Sequence, residues 1–272
     1  MKNVIIRSLS GIVYIALIVG AILGGGWWWY ALTGVFTVVG MMEYGRITAA
    51  RTKSESPMLC SALDLASALL VWGVAPVLEH WGNALPAIGV ILGLCLLLRM
   101  TLALSQKTGD AVATMTSGIF GVLYVGLPMG LLNLVIGHNA DAPAAILCTL
   151  ILIWLNDTGA FCVGSLLGKH RLCERLSPKK SWEGFWGGLF FCVAFAAGYA
   201  AVCGLPIVKC AAFGLVVCVF STWGDLFESL LKRSAGVKDS GNLIPGHGGI
   251  LDRIDSLLFV APAAVLFYLF VG

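Results

Sequence analysis

Long apolar runs separated by short polar stretches fill most of the chain. Many approach the roughly 20 residues that a helix needs to cross a hydrocarbon core. The pattern predicts nine spans, at about residues 8–25, 27–43, 59–78, 84–104, 118–136, 143–167, 184–203, 207–224 and 251–271. Most runs lack the strict apolar–polar alternation of a membrane barrel strand. The expected fold class is therefore all-α, a polytopic transmembrane helical bundle whose backbone hydrogen bonds close within each helix. Several spans fall short of a full crossing, and the fourth and fifth are expected to tilt or to break at their Gly and Pro residues. Gly24-Gly25-Gly26 predicts a tight turn between the first two. The expected organisation is an N-terminal set of helices over 1–140 and a C-terminal set over 141–272, the latter carrying the chemistry.

The first run follows Lys2 and Arg7 and includes Val19-Gly20-Ala21, features shared with a secretory signal. It continues, however, into Trp27-Trp28-Trp29-Tyr30, a cluster of the kind found at membrane interfaces, so an uncleaved first helix is expected. Composition agrees with a lipid-embedded chain. Hydrophobic residues make up 59% and charged residues 11%, against roughly a quarter charged in soluble domains. The nine cysteines are scattered through apolar runs without a C-x-x-C pair, which reads as small buried hydrophobes and not as disulfides or zinc ligands.

Charge then orients the spans. With the N-terminus cytoplasmic, every Lys and Arg except Lys209 falls on the cytoplasmic side, as the positive-inside rule requires. This includes Arg99 near the end of the fourth span, and it supports an odd number of crossings with Gly272 outside. Glu43, at the end of the second span near Arg46, reads as an interfacial ion pair.

Polar chemistry concentrates in two stretches, 168–183 and 225–255. Within the 27 residues from Ser229 to Asp255 lie three carboxylates (Asp239, Asp252, Asp255) and four cations (Lys232, Arg233, Lys238, Arg253). Asp225 and Glu228 precede them, and Asp225, Glu228 and Lys232 share one helical face. Such density beside an apolar bundle is costly unless the groups are paired or solvated. Carboxylates among cations suit a metal–nucleotide site, since Mg²⁺ takes carboxylate and phosphate oxygens while Lys and Arg offset phosphate charge. Gly246-His247-Gly248-Gly249 leads into a helix whose first amides can hold an anion. On composition alone, a solvated loop paired with lipid phosphates fits equally well. His247 has no second His or Cys at ligand spacing, so it makes no zinc site; base, phosphate donor and loop scaffold all remain open for it. His80, His138 and His170 are lone loop or interface residues.

Two further features belong to the same half. In Ser177-Pro178-Lys179-Lys180-Ser181-Trp182-Glu183-Gly184, Pro178 favours extended backbone and Ser181 with Glu183 marks a helix start with a basic flank. Asn156-Asp157 sits inside the sixth span, where an ionisable residue costs about 3 kcal/mol and usually faces a polar cavity.

The order of residues from 229 to 255 resembles the signature of the phosphatidate cytidylyltransferases, or CDP-diacylglycerol synthases. Ser229, Lys232-Arg233, Lys238-Asp239, His247-Gly248-Gly249, Asp252-Arg253 and Asp255 fill its positions at its spacing. The resemblance implies an enzyme that joins CTP to phosphatidic acid at a bilayer, giving CDP-diacylglycerol and pyrophosphate. It also implies Mg²⁺, with a second cation and a homodimer as further possibilities, no nucleic-acid partner, and a bacterial inner membrane with the site facing the cytoplasm. Asp225 and Asp252 are then the expected metal carboxylates and, with Asp255 and Lys232, the expected catalytic groups. Lys180, Ser181, Glu183, Arg233, Lys238, Asp239, His247, Arg253 and Asp157 are the expected substrate-binding set. Two other classes stay in view. One is a related CTP-dependent lipid enzyme, such as a polyprenol or phytol kinase or an ether-lipid cytidylyltransferase. The other is a transporter, which would carry polar residues around the midplane of several helices.

Overall fold

The computed structural model describes residues 2–52, 56–107, 109–138, 142–244, 246 and 248–271, with side chains for 9–49, 56–82, 84–107, 109–136, 142–244, 246 and 248–269. The chain divides into two compact units, Met1–Pro143 with Ser234–Arg253, and Ala144–Arg233 with Ile254–Gly272.

The first unit is built from α1 (Lys2–Gly24), α2 (Gly26–Thr52), α3 (Pro57–Trp72), α4 (Val74–His80), α5 (Leu85–Ser105), α6 (Ala111–Gly121), a π-helical turn (Val122–Gly126) and α7 (Leu127–His138). The glycine turn lies where the sequence predicts it: Gly25 has φ +70°, a conformation closed to most side chains, and it separates α1 from α2. Trp27 and Trp28 face outward, whereas Trp29 and Tyr30 are 2% and 1% exposed, so half of the aromatic cluster is core. The π-helical turn is followed by Pro128, which cannot donate to the ladder. Gly126, the last residue of that turn, and Gly130 form a small-residue seam against α3. A Cβ at Gly126 would lie 2.9 Å from Ala68 Cα, and one at Gly130 would lie 2.7 Å from the Val71 carbonyl oxygen.

The third predicted span is broken. α3 and α4 meet at Gly73 with a bend of 43°. Pro76 has no N–H to return to Trp72, so that carbonyl loses its helical partner; it accepts instead from Asn133 Nδ2 at 3.3 Å. Arg99 belongs to the core as well: it is 4% exposed, its Nε donates to Asp64 Oδ1 at 2.9 Å and its Nη2 to the Thr114 carbonyl at 2.8 Å. Arg99 thus ties α3, α5 and α6 together. Breaking a buried pair leaves a bare charge, so Arg99→Met is expected to destabilise the first unit by about 3 kcal/mol. Thermal unfolding in detergent, compared with a change at an exposed residue such as Arg253→Met, measures this.

The second unit holds most of α8 (Ala142–Leu167), an antiparallel hairpin of β1 (Arg171–Cys173) and β2 (Ser177–Ser181), α9 (Trp182–Cys203), α10 (Ile207–Ser234) and α11 (Leu251–Val271). Its helices approach through glycines. A Cβ at Gly184 would lie 2.8 Å from the Ala160 carbonyl oxygen, and one at Gly188 would lie 2.9 Å from that of Asn156, which brings α9 onto α8. At Gly224 a Cβ would lie 2.6 Å from the Asp255 carbonyl oxygen, so α11 rests on α10 beside Asp225.

An all-α membrane bundle is present, but the count of nine spans is corrected. Among the described residues, five helices are long and apolar enough to cross a membrane, covering 85–105, 111–136, 142–167, 182–203 and 207–234, with a sixth if the bent α3–α4 pair is one span. The shortfall has local causes. Described apolar helix in α1 is confined to Leu9–Gly24. α2 carries Glu43 and Arg46, and α11 opens with Asp252, Arg253 and Asp255.

Candidate active site

In the second unit, the hairpin delivers Lys180 to an acidic cluster. Trp182 N–H donates to the His170 carbonyl at 2.9 Å, which closes the base of the hairpin. β2 then passes directly into α9, whose first turn Ser181 caps by accepting from Gly184 N at 3.1 Å. Glu183 turns back on the loop before β1, accepting from the amides of Lys169 (3.1 Å) and His170 (3.2 Å) and pairing with His170 Nδ1 at 2.6 Å. Ser181 and Glu183 thus fix the hairpin and the start of α9, and His170, read from the sequence as incidental, is part of that arrangement.

Lys180 reaches across to α10, where its Nζ lies 2.6 Å from Asp225 Oδ2. Both side chains remain partly open, at 27% and 35% exposure, so a ligand can reach them. Asp225 also accepts from Ser229 Oγ at 3.4 Å. Asp255 of α11 stands within the electrostatic influence of Asp225, Asp157 and Lys180, and its Oδ1 accepts from Ser256 N at 2.6 Å. Three carboxylates from α8, α10 and α11 therefore stand in one another's field, with the Lys180 ammonium paired to Asp225. Repulsion among them favours arrival of further positive charge. Beside Asp157, Asn156 is 3% exposed; its Nδ2 donates to Ser221 Oγ at 3.3 Å while its Oδ1 has no partner among the described residues.

Further along α10, Lys232 pairs with Glu228 at 2.5 Å, and Glu228 is 1% exposed. The ammonium of Lys232 thus balances a buried carboxylate in this structure. Arg233, Lys238, Asp239 and Arg253 are exposed. His247 lies outside the described residues.

In the first unit, the segment after α10 folds around Asp252. Its Oδ2 accepts from Gly249 N (2.8 Å), Ser240 N (3.0 Å) and Ser240 Oγ (3.0 Å). Glu43 of α2 takes the next two amides, Ile250 N at 3.1 Å and Leu251 N at 2.8 Å, together with Ser240 Oγ at 2.8 Å. Two expectations change here. Glu43 does not pair with Arg46 at an interface; it is 3% exposed and holds the start of α11. These amides serve protein carboxylates, leaving them unavailable to an outside anion. Sequence reasoning missed Glu43 as a member of this constellation, because a single acidic residue at a helix end gives no sign of a partner some 200 positions on.

These donors fit a hard divalent cation in kind: carboxylates, partly exposed, with lysine beside them. Among the described residues, no three His, Cys, Asp or Glu side chains are gathered closely enough to hold an ion unaided. That arrangement suits Mg²⁺, which is usually held by one or two carboxylates plus substrate phosphates.

The profile of the cytidylyltransferase family matches residues 5–271. The chain belongs to this family. Three similar proteins are each named phosphatidate cytidylyltransferase. That of Bacillus subtilis is 49% identical over 114 residues, covering 41% of this chain and 42% of the relative. That of Staphylococcus aureus is 46% identical over 119 residues, covering 43% and 46%. That of Synechocystis is 33% identical over 291 residues, covering 96% and 95%. The first two matches thus span less than half of those proteins, while the third runs nearly end to end.

Proposed function

We propose that the chain transfers the cytidylyl group of CTP to phosphatidic acid, giving CDP-diacylglycerol and pyrophosphate. The observation that carries this reading is Lys180 against Asp225, beside Asp255 and Asp157, in a chain of this family. A phosphate oxygen of the lipid attacks the α-phosphorus of CTP. A new P–O bond forms, the bond from that phosphorus to the oxygen bridging to the β-phosphate breaks, and pyrophosphate leaves with the electron pair. The nucleophile is already anionic, so positioning and charge neutralisation carry the rate and a strong general base is dispensable.

Asp225 and Asp252 are the proposed metal carboxylates, with Asp255 supporting them. Mg²⁺, when bound, would supply charge neutralisation on the triphosphate. Lys180 would exchange Asp225 for phosphate oxygens, and Lys232 would add a phosphate contact while keeping Glu228. Arg233, Lys238 and Arg253 would meet the phosphates of CTP or of the lipid headgroup. Ser181, Glu183, Asp239, His247 and Asp157 would complete the substrate site.

The deciding experiment uses purified protein, phosphatidate, Mg²⁺ and CTP labelled at the α-phosphate. Label is expected in the lipid product. Label entering only from γ-labelled CTP would indicate a kinase instead.

We further place the hairpin and its cluster on the cytoplasmic side, where CTP is available. α9 separates Cys173, in the hairpin that precedes it, from the exposed Cys203 at its far end, and its 22 residues span about 33 Å. In a variant with the other cysteines replaced, an impermeant thiol reagent applied to intact cells should label Cys203. Cys173 should react only after the membrane is opened. Labelling of Cys173 alone in intact cells would reverse the orientation.

A further inference from the structure

Glu43 is a buried carboxylate that the family signature does not reach. It sits on α2, far upstream of the 229–255 segment, and is 3% exposed. Burial of a carboxylate costs several kcal/mol unless hydrogen bonds replace its water. Here three donors do so: Ser240 Oγ at 2.8 Å, Ile250 N at 3.1 Å and Leu251 N at 2.8 Å. Among the described residues no Lys or Arg pairs with it; the compensating charge is the positive end of α11.

The surrounding backbone is shaped to admit this carboxylate. A Cβ at Gly241 would lie 2.5 Å from Glu43 Oε1, and one at Gly249 would stand equally close to the same oxygen. Any side chain at either position would push Glu43 out. Both glycines thus leave room for the buried carboxylate.

The same donors lead to Asp252. Ser240 Oγ stands between the two carboxylates, 2.8 Å from Glu43 Oε2 and 3.0 Å from Asp252 Oδ2. The single hydroxyl proton serves one of them at a time, while the Ser240 amide holds Asp252 Oδ2 at 3.0 Å throughout. Leu251 and Ile250, held by Glu43, are the residues immediately before Asp252. Glu43 therefore restrains Asp252 from two directions, through the backbone that precedes it and through Ser240.

We propose that Glu43 is a positioning residue for cytidylyl transfer, setting the orientation in which Asp252 meets the metal. This rests on the reading of Asp252 as a metal carboxylate. A carboxylate that only capped α11 would affect stability. One that aims Asp252 affects metal affinity in protein that is still folded.

The test is Mn²⁺ binding to the full-length protein in detergent, followed by electron paramagnetic resonance of the free ion, together with the Mg²⁺ dependence of turnover. Glu43→Gln keeps the shape but presents one acceptor where two are used. Its dissociation constant for Mn²⁺ is expected to rise about tenfold or more, as for other groups that orient metal ligands. Half-saturating Mg²⁺ should rise in parallel while the KM for phosphatidate stays put. Glu43→Asp should recover part of the loss. Wild-type Mn²⁺ affinity in folded Glu43→Gln would overturn the proposal. Should Glu43→Gln not accumulate, Ser240→Ala decides. It leaves Glu43 on its two amides and removes the hydroxyl that joins it to Asp252, so weaker Mn²⁺ binding is expected and unchanged binding overturns the Ser240 route. Asp252→Asn run alongside separates the two ideas. If it alone weakens Mn²⁺, the metal reading stands and Glu43 is only a cap. If Asp252→Asn binds Mn²⁺ normally, the reading of Asp252 is what fails.

Discussion

Asp225→Asn is expected to reduce turnover by about 10²–10³-fold, the scale on which one well-placed electrostatic group acts in an active site. The substitution keeps the shape of the side chain and removes one negative charge. Asp225 faces Lys180 at 2.6 Å and shares the field of Asp255, so the lost charge would weaken the hold on the proposed divalent cation. Extra Mg²⁺ should recover only a small part of the rate, because mass action restores occupancy without restoring the lost ligand. Label transfer from α-labelled CTP, measured over a wide Mg²⁺ range in protein of normal yield, tests this. Full activity across that range would return Asp225 to the role of a structural partner for Lys180.

Local chemistry was readable in the sequence, whereas partners distant in the chain were not. Gly25 announces its turn because few other residues adopt φ +70°. Ser181 announces a helix start because its side chain caps the amide three residues on. Asp157 stands out because an acid among Trp154, Leu155 and Phe161 needs polar company, and it stands in the field of Asp255. The span count failed for a different reason. Hydropathy counts apolar residues without seeing where Pro76 cuts the ladder at Trp72, or that a charged first turn in α11 takes residues away from the crossing. Arg99 and Glu43 show the same limit on the polar side. Each looks like an interface charge in one dimension, and each is buried because its partner, Asp64 in one case and the Ser240–Leu251 segment in the other, is brought to it by helix packing. The short hairpin that carries Lys180 escaped for want of length, since strands of three and five residues give no usable alternation.

Lys180→Met is expected to lower kcat/KM for CTP by about 10²-fold, on the same electrostatic scale, with a raised KM for CTP and little change in that for phosphatidate. The hairpin that holds Lys180 is fixed at its base, by the Trp182 amide on the His170 carbonyl and by the Ser181 cap, so the backbone next to Lys180 is held at the cluster. That rigidity is what phosphate binding requires, because a pre-placed cation loses little freedom when the triphosphate arrives. Lys180→Arg should restore only part of the rate, since a planar guanidinium extends beyond the point an ammonium occupies. The rival account treats Lys180 as a counter-ion that keeps Asp225 from repelling Asp255. It predicts a lower unfolding temperature with an unchanged KM for CTP, and it predicts that Asp225→Asn relieves the defect of Lys180→Met. The double variant therefore distinguishes them. Under nucleotide binding, Lys180→Met/Asp225→Asn is slower than either single variant, because a phosphate contact and a metal carboxylate are both gone. Under charge balancing, the double variant is as stable as wild type or nearly so, and its activity is no lower than that of the worse single variant, because each change removes the reason for the other.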